Sequence, residues 1–308
     1  MNILISTVTH SRPKGLETLL KSLQALSIPD GAIVEICVVD NDCTGNNDPV
    51  IERLQNAPLK VNFLKEPRKG IVYARNTAVE YFLNSPFNML AFIDDDEWTN
   101  DAYWLENLLD AQRKTGADIV TSDVLTFPQS DKISWTTGAM GRVNNLVDLQ
   151  KKTKFYTGNV LIKRLVLETI KPAFDERFAL TGSSDFHFSL KCRNAGFKAV
   201  YTDKAQVSEI FPESRATLKW FCLRGYRNGI GAARGEFFEA KNKISVIAKL
   251  FLMALIRSGR GLLTMLRAAI QLDKGILALG LMRFSAGLGT IAGIFGFTHE
   301  EYKNIHGK

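Results

Sequence analysis

Paired cysteines are missing from this chain. Cys37, Cys43, Cys192 and Cys222 stand at neither metal-ligand spacing nor disulfide density. A zinc module and a disulfide-stapled scaffold are therefore excluded, and the thiols read as those of a reducing cytosol. There is no internal repeat and no low-complexity tract. Residues 1–9 carry no basic segment ahead of their short apolar run, which is expected to be a first strand and not a signal peptide. No Ser-His-Asp or Cys-His set occurs at a recognisable spacing. Acids are scarce in one region only: between Glu213 and Arg283, four acids face thirteen Lys and Arg. That stretch carries +9, so with a net charge of +7 the remainder is near −2. Positive charge so localised argues against a general nucleic-acid surface and for one confined anionic partner.

The remaining composition is ordinary for a globular protein, 45% hydrophobic and 23% charged over 308 residues. That is enough for one large catalytic domain with an appendage, or for two modest domains. Strand patterns at 2–9, 33–40, 60–65, 88–93 and 118–127 alternate with helix patterns at 14–26, about 49–55, 71–83 and 102–114. Such alternation predicts right-handed crossovers and an α/β fold whose mostly parallel sheet is flanked by helices. Residues 128–155 are irregular and polar, as expected of a loop-rich active-site rim. Ordered patterns resume with a strand at 158–163, helices at 164–170 and 184–195, and a strand at 197–202. A helix at 217–234 and a polar connection at 235–243 lead into two apolar segments.

The densest chemistry is Phe92-Ile93-Asp94-Asp95-Asp96-Glu97, where four acids follow a buried apolar strand at once. In an open α/β sheet, ligands bind outside the carboxyl ends of the strands. Like charges this close raise one another's pKa unless a cation compensates. Hard oxygen ligands with open positions suit Mg²⁺ or Mn²⁺ shared with substrate phosphates. A solvated acidic turn capping the next helix is the plainer alternative. Asp40 ends the second strand and Thr9-His10-Ser11-Arg12-Pro13 the first, so both fall on the same sheet edge as the acids. A carboxylate there can accept from a nucleobase N–H, although Asn41, Asp42 and Gly45 equally allow Asp40 an Asx-turn. Gly70 opens the helix that carries Ala74-Arg75-Asn76, after Lys65, Arg68 and Lys69. Such a start suits a phosphate or sugar hydroxyls, or else is a solvated loop. Asp185, in Gly182-Ser183-Ser184-Asp185-Phe186-His187, can act as a general base if it reaches a substrate hydroxyl. It could also serve only as a first-turn helix acid.

Taken in order, Thr9…Arg12, Asp40, Ala74-Arg75-Asn76, Asp94-Asp95-Asp96, Gly158-Asn159 and Gly182…Asp185 resemble the family-2 glycosyltransferases with the GT-A (Rossmann-like) fold, over roughly residues 2–235. The resemblance implies inverting transfer of a sugar from a nucleotide-sugar to an acceptor hydroxyl. It implies that Thr9, Arg12, Asp40, Arg75, Asp94 and Asp95 bind the nucleotide-sugar. Asp96, with Asp94, would hold Mg²⁺ or Mn²⁺, and Asp185 would be the base. Gly158, Asn159 and Ser184 would lie on the acceptor side. Three positions depart from the family pattern. Ser184 stands where many members have Glu, His187 where a second acid often follows, and Glu209 where many carry a metal-contacting His. A nucleotidyltransferase is one alternative, but it would want a glycine-rich loop after the first strand. A catalytically silent sugar- or lipid-binding protein on the same fold is another, suggested by Ser184 and His187.

The expected layout is a GT-A catalytic domain over 1–235, with a nucleotide half at about 1–127 and an acceptor half at about 128–235. A C-terminal amphipathic and apolar helical region follows over 236–308. There Lys249, Met253, Arg257, Arg260, Thr264, Arg267 and Gln271 recur at spacings of three and four, forming one largely basic stripe on an otherwise apolar helix. Residues 275–297 carry a single charge, Arg283, and six glycines; they are long enough to span a bilayer, but the glycines and the arginine weigh against it. This region is expected to attach the protein, peripherally or monotopically, to the anionic cytoplasmic face of the inner (plasma) membrane. The basic stripe would meet lipid phosphates there, close to a lipid-linked saccharide acceptor. A helical hairpin that covers the sheet or forms a homodimer is the alternative. No nucleic-acid partner is expected.

Overall fold

A computed structural model describes residues 1–54, 57–140 and 146–298. The expected helix end at 55, part of the expected rim (141–145) and the tail of the C-terminal region (299–308) lie outside the described residues. The first half follows the expected alternation, with β1 (Asn2–Thr9), α1 (Pro13–Gln24), β2 (Ile33–Asp40), α2 (Asp48–Glu52), β3 (Val61–Lys65), α3 (Ile71–Leu83) and β4 (Met89–Ile93). Pro13 opens α1, where its missing N–H costs nothing. Then come β5 (Glu97–Thr99), α4 (Trp104–Thr115), β6 (Ile119–Thr121), β7 (Val124–Pro128), α5 (Thr137–Met140) and β8 (Lys151–Lys152). β9 (Asn159–Lys163), α6 (Arg164–Thr169), α7 (Ser184–Asn194), β10 (Ala199–Tyr201) and β11 (Val207–Phe211) complete the α/β part.

Among the described residues the main sheet has eight strands in the order β3-β2-β1-β4-β9-β6-β10-β8. It is mostly parallel, with β9 inserted antiparallel between β4 and β6 and β8 antiparallel on the edge. Leu16, Leu19, Trp104 and Leu108 of α1 and α4 pack on one face, and Val72, Phe82, Val166 and Phe188 of α3, α6 and α7 on the other. The single strand expected at 118–127 is two strands. Ser122-Asp123 breaks it, and β7 leaves for a second sheet of order β5-β11-β7. The expected rim also holds more than loop: a 3-10 turn at Asp131–Thr136, then α5 and β8.

Three helices end the described chain: α8 (Leu218–Phe238), α9 (Lys243–Gln271) and α10 (Lys274–Ile294). α8 runs four residues past its expected end, which shortens the polar connection to 239–242. Side chains of Thr217, Asn242 and Asp273 cap the three N-termini. α10 lies between the other two, and its glycines explain how. A Cβ on Gly229 of α8 would sit 2.7 Å from the Thr290 nitrogen of α10, and one on Gly293 would sit 2.7 Å from Ala233 Cβ. On the α9 side, a Cβ on Gly261 would sit 2.7 Å from Phe284 Cα, and one on Gly280 would sit 2.8 Å from the Met265 nitrogen. α10 is long and apolar enough to cross a membrane, yet here it is a wedge packed on both sides.

α9 corrects the expectation for the basic stripe. Its buried positions are Val246, Leu250, Ala254, Gly261 and Ala268, and the opposite side exposes Leu252, Leu255, Leu263, Leu266 and Ile270. The stripe runs beside the buried side, because its members find partners on neighbouring helices. Lys249 Nζ pairs with Glu236 of α8 at 2.8 Å, and Arg257 Nη1 donates to Thr290 Oγ1 of α10 at 2.8 Å. Arg260 and Arg267 remain exposed.

Gly229→Val should lower stability by about 1–3 kcal/mol through overpacking against α10. Gly259→Ala, with no atom within 4 Å of its added Cβ, should be neutral or stabilising by up to about 1 kcal/mol. Thermal melts followed by circular dichroism check both. A Gly229→Val protein melting with the wild type would mean that α8 and α10 do not meet in this way.

Candidate active site

Parallel pairing sets Thr9 of β1 opposite Asp40 of β2, and β4 beside β1 ends just before the acidic run. A cavity of about 1020 Å³ opens at this edge. Thr9, Arg12, Arg75, Asp94, Asp95, Asp96, Gly158, Asn159, Ser184 and Asp185 all line it, so the expected site residues come together in one place. Asp40 alone among them is off the wall. Its Oδ1 accepts from the Asp42 backbone N–H at 3.0 Å and from Asn47 Nδ2 at 3.1 Å, the Asx-turn arrangement. Its Oδ2 is buried with no hydrogen-bond partner, a spare acceptor directly before Asn41, which does line the cavity.

The acids are held by very few cations. Asp95 accepts from Thr9 Oγ1 at 2.8 Å and from Arg12 Nη1 at 2.9 Å, and the same Arg12 nitrogen reaches Asp96 at 2.9 Å. Burial nonetheless pushes the Asp95 carboxyl up to about 7, against the pull of Arg12. Burial raises Asp94 as well, opposed by Arg75 at 3.4 Å and reinforced by Asp96 and Asp185. The second sheet adds to the crowding, because its register sets Glu97 of β5 directly opposite Glu209 of β11. Like charges directly across a ladder destabilise each other. Burial first, then neighbouring carboxylates, hold Glu97 well above the usual range and raise Glu209.

At the strand ends five carboxylates, Asp94–Glu97 and Glu209, face Arg12, Arg75 and Arg215, and such a local excess fits a hard divalent ion. Among the described residues no group of three or more His, Cys, Asp or Glu side chains is gathered as a ready-made cage. An ion at Asp94 and Asp96 would therefore take the rest of its coordination from phosphate oxygens and water, as Mg²⁺ commonly does.

β9 lies antiparallel to β4 with Asn159 opposite Ile93, which brings Gly158 against the acids. A Cβ on Gly158 would sit 2.7 Å from Glu97 Oε1 and 3.4 Å from Asp94 Oδ2, so only glycine leaves both carboxylates in place. The Asn159 side chain is spent inside the fold, donating to the Asp123 and Ala205 carbonyls and accepting from Trp104 Nε1. Gly182 and Ser183 turn the chain in the left-handed region (φ +71° and +67°) and present Ser184 and Asp185 in the first turn of α7. Arg75 links the two sides of the cavity, with Nη2 3.4 Å from Asp94 Oδ1 and Nη1 3.4 Å from Ser184 Oγ. His187 points elsewhere: its ring stacks on Phe178, and Nε2 lies 2.9 Å from Glu239, just past the end of α8. Of the cations before α3, Lys65 pairs with Asp48 and Arg68 with Glu66, leaving Lys69 to line the cavity.

The sequence reading counted Glu97 among the acids without giving it a role, and did not place Arg215 or Tyr156 in the site, nor Arg224, Arg227, Arg257 and Arg283 from the helical roof; all of these line the cavity. Glu97 was signalled by its place in the acidic run. The arginines carried only the signal of a basic region, since helix packing decides which of them face inward.

A carboxyl with a raised native pKa keeps its proton where the unfolded chain has lost it. Its contribution therefore falls as pH rises from about 4, the unfolded Asp value, to about 7, the native value of Asp95. In EDTA, the melting temperature of the wild type relative to Asp95→Asn should decline between pH 5 and 7.5. Parallel pH curves by scanning calorimetry would show that Asp95 stays ionised throughout.

Comparison with known proteins adds to this geometry. The sequence profile described as glycosyl transferase family 2 matches residues 5–170. The chain is 30% identical over 233 residues to the succinoglycan biosynthesis protein ExoM of Rhizobium meliloti (strain 1021), covering 74% of this chain and 73% of that protein. In structure it is similar to the mannosyltransferase PcManGT of Pyrobaculum calidifontis in complex with GDP-Man and Mn²⁺, with a TM-score of 0.66 and 16% identity over 96% of this chain and 87% of that one. It is also similar to S. aureus TarS 1–349 in complex with UDP-GlcNAc, with a TM-score of 0.55 and 15% identity over 98% of this chain and 93% of that one. At such identities the structural likeness is one of fold, and the fold is the GT-A architecture implied by the order of motifs.

Proposed function

The chain belongs to glycosyl transferase family 2, and we propose that it transfers a sugar with inversion from a nucleotide-sugar to a hydroxyl of a lipid-linked saccharide. The observation that carries this reading is that Asp185, at the start of α7, shares one cavity with Asp94–Asp96 at the end of β4. Residues 1–127 hold the donor, with Thr9, Arg12, Arg75, Asp94 and Asp95 as its contacts on the cavity wall and the spare Oδ2 of Asp40, behind the wall, as a further acceptor for the nucleotide. Residues 128–235 hold the acceptor, with Gly158, Asn159 and Ser184 on that side. Asp96 and Asp94 would hold Mg²⁺ or Mn²⁺, which would supply neutralisation of the charge on the leaving diphosphate. Asp185 takes the proton of the acceptor hydroxyl as its oxygen bonds to the anomeric carbon. The bond from that carbon to the diphosphate breaks on the opposite face, so one displacement inverts the centre. Complexes of structural relatives with GDP-Man and UDP-GlcNAc support a nucleoside-diphosphate-sugar donor. Similarity to a succinoglycan biosynthesis protein supports a role in polysaccharide assembly.

The region from 236 onward attaches the enzyme to the cytoplasmic face of the inner membrane without crossing it. Support comes from the outward side of α9, where Leu255, Leu263, Leu266 and Ile270 are 69%, 68%, 62% and 85% exposed. Burying each such side chain in lipid is worth about 1.5–3 kcal/mol. Attraction of Arg260 and Arg267 to anionic headgroups adds about 1 kcal/mol each. Apolar burial therefore dominates the attachment.

Release of nucleoside diphosphate from UDP-, GDP- and dTDP-sugars tests the transfer reading. Asp185→Asn should lower transfer by about 10²–10⁴-fold while donor binding is retained. Near-wild-type transfer by that variant would move the base to Asp123 or Glu209. Asp96→Ala should abolish transfer in a folded protein, and full wild-type activity in excess EDTA would refute metal use. The full chain should float with anionic liposomes even in high salt, which screens only the charge contribution. The triple variant Leu255→Glu, Leu263→Glu, Leu266→Glu should remain in the soluble fraction while still releasing nucleoside diphosphate. If that variant floats like the wild type, attachment lies elsewhere.

A further inference from the structure

The cavity is acidic at the strand ends and basic under its helical roof. Arg224 and Arg227 of α8, Arg257 of α9 and Arg283 of α10 all line it. Packing explains why three separate helices point arginines the same way. α10 is clamped between α8 and α9, and two bonds clasp the α9–α10 hairpin: Arg257 donates to Thr290 at 2.8 Å, and Arg283 donates to Thr264 at 3.0 Å. Both acceptors are hydroxyls. A guanidinium carries five N–H donors, so a single bond to a threonine leaves most of the Arg257 fork for other partners. Among the described residues, Arg224 and Arg257 make no ion pair with a carboxylate. Arg224 lies over the Trp220 ring, 5.0 Å from its centroid.

The basic end adjoins the acceptor side. Tyr156, on the cavity wall, feels both: its phenol is raised by desolvation and by Asp185 and lowered by Arg224 and Arg257. Burial lowers the pKa of Arg257, with Tyr156 and Glu236 as the opposing influences and none of Asp94–Glu97 among them. Lys154, whose ammonium lies over Phe186, is likewise lowered by burial and by Arg257. Half-buried cations gathered on one wall are stabilised by an anion bound among them. Of α9, Arg257 reaches the cavity, while the helix turns its apolar side outward.

We propose that Arg224, Arg227, Arg257 and Arg283 form a subsite for the phosphate or diphosphate ester of the acceptor lipid, next to Asp185 and separate from the donor's diphosphate. The arginine forks bind the ester oxygens, for which planar bidentate donors are suited, while the hydrocarbon tail follows the apolar exterior of α9. This assignment rests on the reading of the acceptor as lipid-linked. It deepens that reading by giving the acceptor's anionic group a place in the fold.

The test uses the full-length protein in neutral detergent micelles, with farnesyl diphosphate, farnesol and inorganic diphosphate as probes and calorimetry as the readout. The wild type should bind farnesyl diphosphate tighter than either other probe. Arg257→Gln with Arg283→Gln should weaken that binding by about tenfold or more, while UDP, GDP or dTDP binding stays at the wild-type value. Lysine at both positions, which keeps the charge, should restore part of the affinity. If the Gln variant melts early, Arg224→Gln replaces it, since Arg224 stacks on Trp220 and does not clasp the hairpin. Unchanged farnesyl diphosphate binding in the folded variants overturns the proposal. So does equal wild-type affinity for inorganic diphosphate, which would make this a bare-anion site. Loss of nucleoside-diphosphate binding in the variants would assign the cluster to the donor and also overturn it. A protein that binds farnesyl diphosphate through these arginines yet releases no nucleoside diphosphate from any nucleotide-sugar would refute the transfer reading and leave the subsite standing.

Discussion

Asp95 sits in the interior with one oxygen on Thr9 at 2.8 Å and the other on Arg12 at 2.9 Å, and the rest of the strand-end geometry is arranged around this carboxylate. A buried charge is tolerable only when it is paired and hydrogen-bonded. The two bonds tie the ends of β1 and β4 into one surface. Arg12 also reaches Asp96, and Arg75 spans from Asp94 to Ser184, so two guanidiniums connect the acidic run to the chain before α1 and to the start of α7. Glu97 and Glu209, opposed across the second sheet, leave the strand end of the cavity with more carboxylate than cation. Such an edge is stable only with protons or an added cation, and raised carboxyl pKa values express the same imbalance.

The roof obeys a different constraint. α10 must approach both neighbours closely, and glycine at the crossings is what permits it. Its tight fit fixes the rotation of α8 and α9, which is why Arg224, Arg227 and Arg257 face the cavity while Leu255, Leu263 and Leu266 face out. α9 thus inverts the arrangement of an ordinary surface helix, with its charged stripe beside the protein and its apolar side exposed. An exposed apolar face of this extent marks an interaction surface.

The main sheet, the acidic strand end and the placement of Thr9, Arg75 and Asp185 were legible before any coordinates. Hydrophobic periodicity and strand-end chemistry lie in adjacent residues, and the alternation of elements restricts how they assemble. The apolar strand before Asp94 and the turn at Gly182-Ser183 are examples, each encoded within a few residues. Other features were not written locally. Gly158 is confined beneath Asp94 only because β9 runs antiparallel beside β4. Glu97 meets Glu209 only through the register of β5 against β11. Asn159 resembled an acceptor contact in its motif, yet its amide is spent on carbonyls from distant loops. The basic stripe of α9 showed its periodicity plainly but not its direction, because a helix alone cannot say which side its neighbours will cover; the glycine-lined crossings of α10 settle that.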